Sequence, residues 1–132
     1  MAEASVLTET TPYDAIGGAD GVRRLVERFY DLMDGDPDVA DLRAMHARDL
    51  GPMRERLFEF LSGWLGGPPL YFRNPNAKCI RSAHAPFAID IAMRDQWMTC
   101  MRKALSESGL SGGLRSQVEA AFLRLADSFR NR

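Results

Sequence analysis

The stretch GVRRLVERFYDLM, residues 21–33, decides how the rest of the chain is read. Its apolar residues Val22, Leu25, Val26, Phe29, Tyr30 and Met33 recur at i, i+3, i+4, i+7, i+8 and i+11, the stripe of a helix with one buried face. Upstream, Thr11 before Pro12 predicts an N-cap with proline at the first helical position, and Gly17-Gly18 stops that short turn. Residues 1–11 show no periodicity and are expected to be a flexible lead-in to a single domain over residues 12–132.

Downstream, Asp34-Gly35-Asp36-Pro37 breaks the helix, and Val39, Leu42 and Met45 predict a short one ending near His46. Residues 50–65 repeat on a helical face until Gly66-Gly67-Pro68-Pro69 ends it. Residues 70–75 read as an ordered loop, followed by a short helix that reaches His84 and stops at Ala85-Pro86-Phe87. Helices over residues 90–108 and 114–130 complete the chain, separated by Gly109 and Gly112-Gly113. Nowhere do β-branched residues alternate with polar ones, so the class is all-α, with about five substantial helices and two or three short ones.

A chain of 132 residues and 45% apolar content is one domain able to bury a core without disulfides. Seventeen Lys and Arg against eighteen Asp and Glu leave no basic excess for a phosphate backbone or an anionic leaflet, so neither nucleic acid nor membrane is an expected partner. The first residues, MAEASVLTETTPYD, are acidic where a signal peptide needs a positive region and an apolar run, and a cytoplasmic location is expected. Cys79 and Cys100 are too few for a disulfide framework and fit a reducing compartment.

Motifs for phosphoryl transfer, dinucleotide redox, zinc proteolysis and the serine nucleophile elbow are absent. His46 and His84 are the two histidines, and with the two cysteines they match no paired-ligand zinc spacing. A Cys/His nucleophile pair has no third orienting group nearby in sequence. What remains is a histidine on a short helix between apolar Ile80 and Phe87, with aromatic residues on other helices. That set suits haem, whose iron needs one neutral nitrogen, an apolar slot and cations at the edge, and it equally suits a partly buried histidine with a satisfied hydrogen bond.

Five blocks taken in order change what those residues mean: PYDAIGG (12–18), RFYDLM (28–33), FLSGWLGGPPLY (60–71), RSAHAPF (81–87) and RDQWMTCM (94–101). In residues and spacing the chain resembles the truncated haemoglobins, and among them group II. The resemblance implies a two-over-two helical sandwich enclosing haem, with the segment before the proximal helix left as a loop. It makes His84 the proximal ligand and metal-binding residue. C-x-x-C-H is absent, so the cofactor implied is haem b, iron protoporphyrin IX held non-covalently.

On the other face Tyr30 matches the distal tyrosine, with Phe29 beside it as packing. Trp97 matches the tryptophan that marks groups II and III, and His46 stands where the family more often has Tyr or Phe. Met53 and Leu57 match apolar distal positions, Met53 falling where vertebrate globins place a histidine, and Phe60 contacts the macrocycle edge. Arg56, Tyr71 and Arg81 are candidates for the propionates, because arginine pairs bidentately with carboxylates. Ala83, directly before His84, departs from the basic residue common there.

The implied ligands are diatomic: O2, with NO and CO. They draw charge from ferrous iron, which is why donors such as the Tyr30 hydroxyl, the Trp97 N–H and His46 belong in the pocket. Oxygen binding or transport is one reading. Another is a haem enzyme, an NO dioxygenase or a peroxidase with His46 as acid or base, which would draw on a separate reductase. A third is a helical interaction protein without haem.

Overall fold

The stripe at residues 22–33 becomes the inner face of the longest helix. The computed structural model describes residues 10–132, so the lead-in expected over residues 1–11 lies outside the described residues up to residue 9. Helix α1 spans Pro12–Ile16. The Thr11 hydroxyl accepts the Asp14 N–H at 3.1 Å, Pro12 takes the first turn, and Gly17 ends it at φ +109°, a conformation that favours glycine. Helix α2, Gly18–Gly35, follows at once and buries Val22, Leu25, Val26, Phe29, Tyr30, Leu32 and Met33. Gly21 is what allows the two to meet, since a Cβ there would overlap the Ile16 carbonyl.

A 3₁₀ turn at Pro37–Val39 leads into α3, Ala40–Ala44, so the short helix expected before His46 is split in two, with His46 just beyond it. Asp36 causes the split: its side chain caps the Asp38 N–H at 2.9 Å, and Pro37 suits the first position of the tighter turn. Helix α4, Gly51–Trp64, then runs to the Gly-Gly-Pro-Pro bend, where the buried Ser62 hydroxyl donates to the Pro68 carbonyl at 2.7 Å.

Residues 70–75 are not wholly a loop. Leu70–Arg73 forms one helical turn, α5, because prolines are tolerated ahead of a first turn whose N–H groups need no helical partner, and because Tyr71 packs edge-on against Phe60 with ring centroids 5.8 Å apart. Residues 74–79 are irregular and lead to α6, Ile80–His84. Helix α7, Ile91–Ser106, is capped by the Asp90 carboxylate, which accepts the Met93 N–H at 2.9 Å; α8, Gly112–Ser128, follows. Among the described residues there are four long helices rather than about five, and no strand.

The long helices pair: α2 packs on α4, α7 packs on α8, and α2 crosses α7 to join the pairs. This is the expected two-over-two sandwich. Where the pairs meet, Val22, Leu25, Val26, Phe29 and Met33 close against Met98, Met101, Ala104, Leu105 and Phe122 with almost no exposure. A fully buried side chain of this size stabilises by roughly 1.5–3 kcal/mol, so this seam anchors the fold. Elsewhere the pairs separate and enclose a cavity.

Candidate functional site

The cavity measures about 720 Å³ and is walled mainly by aliphatic and aromatic side chains. That lies inside the roughly 300–1,000 Å³ typical of sites for small organic molecules and cofactors. One wall comes from the long helices: Tyr30 of α2, Met53, Leu57 and Phe60 of α4, and Trp97 of α7, together with His46. The other comes from His84 and the residues around it, Ile80, Ala83, Phe87 and Ile89, with Leu125 and Phe129 from the end of α8 and just beyond.

His84 is half-buried, and its Nδ1 lies 2.7 Å from the Ile80 carbonyl. A carbonyl can only accept, so Nδ1–H is the donor and Nε2 is the nitrogen left without a protein partner among the described residues. The same arrangement recurs at His46, whose Nδ1–H donates to the Leu42 carbonyl at 2.8 Å. The Leu42 N–H in turn donates to Gln96 Oε1 at 2.9 Å, tying this corner to α7 beside Trp97. Burial pushes the His46 pKa down, and the charge of Arg43 adds to this against the opposing bond to Leu42, so the ring is neutral at pH 7.

Tyr30 is only 5% exposed, and burial raises its phenol, against the pull of Arg54, so that it stays a hydroxyl donor. Its ring stands edge-on to Phe29 at 5.0 Å and to His46 at 6.2 Å, with the Arg54 guanidinium 5.8 Å from its centroid. Arg54 is itself fixed by Glu27 and Asp31 of α2, each at 2.9 Å, which locks α4 to the helix that carries Tyr30. Trp97 packs against Phe29 and Phe122. No described residue hydrogen-bonds the Tyr30 hydroxyl or the Trp97 indole N–H, and neither atom is sealed away in the packing. Both residues line the cavity, so two donors are left to meet whatever enters it.

Of the residues read as propionate partners, Arg56 and Tyr71 line the cavity, whereas Arg81 is exposed and outside its lining. Arg56 is paired with Glu59 at 3.1 Å, and the Tyr71 hydroxyl donates to the Lys78 carbonyl at 2.6 Å. Lys78 and Arg94 also line the cavity and were not singled out from sequence. Arg94 is engaged by Asp127 and Asp95, but Lys78 has no ion pair among the described residues. Its place in an aperiodic stretch gave no signal. Phe129 and Asn131 were missed as well: the Phe129 ring stacks on His84 at 4.2 Å and 12°, and Asn131 bonds the loop after α6.

Among the described residues no three His, Cys, Asp or Glu side chains gather to hold a bare ion. A metal at the lone Nε2 of His84 would have to bring its remaining donors with it, as iron in a porphyrin does, and an apolar chamber with basic residues in its lining suits that macrocycle. Comparison with known proteins agrees. The family model of bacterial-like globins matches residues 11–131. The chain is a bacterial-like globin.

Within that family it falls among the group II truncated haemoglobins. It is 35% identical over 104 residues to a group 2 truncated haemoglobin of Bacillus subtilis, covering 79% of this globin and 76% of that one. A cold-adapted truncated haemoglobin from the Antarctic marine bacterium Pseudoalteromonas haloplanktis is 41% identical with a TM-score of 0.88, covering 93% of this globin and 99% of that chain. The group II 2-on-2 haemoglobin of Agrobacterium tumefaciens is 39% identical with a TM-score of 0.87, covering 94% and 96%. Membership implies a haem-binding globin that takes small diatomic gases.

Proposed function

We propose that this globin, over residues 12–132, holds haem b non-covalently through His84 Nε2 and binds O2, with NO and CO as further ligands, beside the donors Tyr30, Trp97 and His46. The supporting observation is the 2.7 Å bond from His84 Nδ1–H to the Ile80 carbonyl, which leaves Nε2 free in a cavity large and apolar enough for the macrocycle. When bound, haem supplies an iron with an open position for a diatomic gas. The protein's own groups do the rest. Met53, Leu57 and Phe60 keep water away from the Tyr30 side, the Tyr30 hydroxyl and Trp97 N–H donate toward the ligand, and Arg56 and Lys78 offer cations to carboxylates at the cavity edge. His46, held by Leu42 and Gln96, presents a neutral ring to the same space.

The test is the absorption spectrum of the purified protein in the ferric, dithionite-reduced and O2-exposed states. A Soret band that converts to a persistent oxygenated spectrum is expected, and His84→Ala should lose stable haem. A wild-type protein without a Soret band after haem-sufficient expression would overturn the reading, and normal haem retention by His84→Ala would overturn the ligand assignment.

A further inference from the structure

The helix that carries His84 has five residues, too few to hold its own shape in water, so its orientation must come from elsewhere. The chain beyond α8 supplies contacts of the right kind. Phe129, immediately after α8, lays its ring almost parallel to the His84 imidazole. Two residues later Asn131 uses its whole carboxamide: Nδ2 donates to the Phe87 carbonyl at 2.7 Å, and Oδ1 accepts the Ile89 N–H at 2.9 Å. The Ile89 carbonyl then accepts the backbone N–H groups of Asn131 at 2.9 Å and Arg132 at 3.2 Å. The end of α8 is held to the start of α7 by Asp127, which bonds Arg94 at 2.7 Å and Arg130 at 3.0 Å. The stretch from Phe87 to Ile89 belongs to no helix, and this one side chain pairs the Phe87 carbonyl and the Ile89 N–H as a peptide group would.

We propose that residues 129–131 form a hook that sets the plane of the His84 imidazole, with Phe129 as the positioning residue for the ring and Asn131 as the anchor for the loop behind it. The bond to Ile80 fixes which nitrogen is free but leaves the imidazole free to swing about that contact, and the stacked ring removes the swing. A carboxamide is needed at 131 because it is both donor and acceptor; a carboxylate of the same shape only accepts and would face the Phe87 carbonyl with a repelling oxygen.

The inference rests on the reading of His84 as the iron ligand, and the experiment separates the two. In the holoprotein, Phe129→Leu, Phe129→Tyr and Asn131→Asp are compared with wild type by the iron–histidine stretching band of the ferrous form in resonance Raman and by the rate of haem transfer to excess apomyoglobin. Phe129→Leu keeps apolar bulk but not the flat face, so the band should shift or broaden and haem leave roughly two- to tenfold faster, the scale of one stacked aromatic pair. Phe129→Tyr should restore both, and Asn131→Asp should change them in the same direction as Phe129→Leu. A wild-type band that is unmoved in Phe129→Leu and in Asn131→Asp overturns the hook alone. Absence of an iron–histidine band in the wild type overturns the ligand assignment and the hook with it. Should Phe129→Leu fail to fold, Asn131→Asp, which alters one surface amide, decides the matter by the same band.

Discussion

The two walls of the cavity are built on opposite plans. Tyr30 and Trp97 stand on helices of 18 and 16 residues whose other faces are the sealed seam of the fold, so their positions come with the core. His84 stands on five residues and is placed by one local carbonyl, one stacked ring and a hook from the far end of the chain. Groups on long helices are fixed by burial, which is strong and undirected; the histidine is fixed by directional contacts, which are weaker one by one but specify an angle.

Substitutions can break that contrast. The largest effect is expected from Phe29→Ala, because Phe29 is fully buried and touches both Tyr30 and Trp97 at ring distances of 5.0 Å. Urea denaturation should show a loss of about 3–5 kcal/mol, the usual cost of emptying such a site. A midpoint equal to wild type would mean that α2 does not anchor the first wall.

Tyr30→Phe sharpens the contrast by removing a donor while leaving the ring and its packing. The rate of O2 dissociation, measured by stopped flow, should rise by an amount equivalent to about 1.5–3 kcal/mol, as for a hydrogen bond to a charged acceptor. Stability should change little, and an unchanged off-rate would remove Tyr30 from the ligand's surroundings.

The smallest effect concerns pH. His46 resists protonation in the folded state because it is buried, so below its ordinary value of 6.5 the unfolded chain binds a proton that the folded one refuses. Stability therefore falls as pH drops below about 6.5, with no contribution from this group above it. His46→Gln should flatten that part of the curve when thermal midpoints are compared between about pH 7.5 and 5.5. An identical slope in both proteins would show that His46 is not responsible.

The same division explains what could be read from sequence. The α2 stripe, the Thr11 cap and the Gly-Gly-Pro-Pro stop are local signals, and the elements lie where those signals put them. Tyr30, Phe60 and Trp97 were picked out inside the family blocks, Met53 and Leu57 by matching apolar distal positions and His46 by standing where the family more often has Tyr or Phe, and the fold brings all six to one cavity. The α5 turn was hidden because prolines mask a helix whose cause is packing on Phe60. Arg81 looked equivalent to Arg56 until the turn of α6 carried it outside the lining. Lys78 and Asn131 had no periodicity to betray them, and Phe129, which continues the apolar stripe of the last helix, carried no sign of its partner: Asn131 meets Ile89 and Phe87 across 42 and 44 residues.

Both histidines give their Nδ1 proton to a carbonyl four residues earlier. A contact of that span can close as soon as one turn coils, within a microsecond or so, whereas the ring that stacks on His84 must wait for a long loop to be drawn shut. Each imidazole thus chooses its tautomer early in folding, and only later is it told where to point.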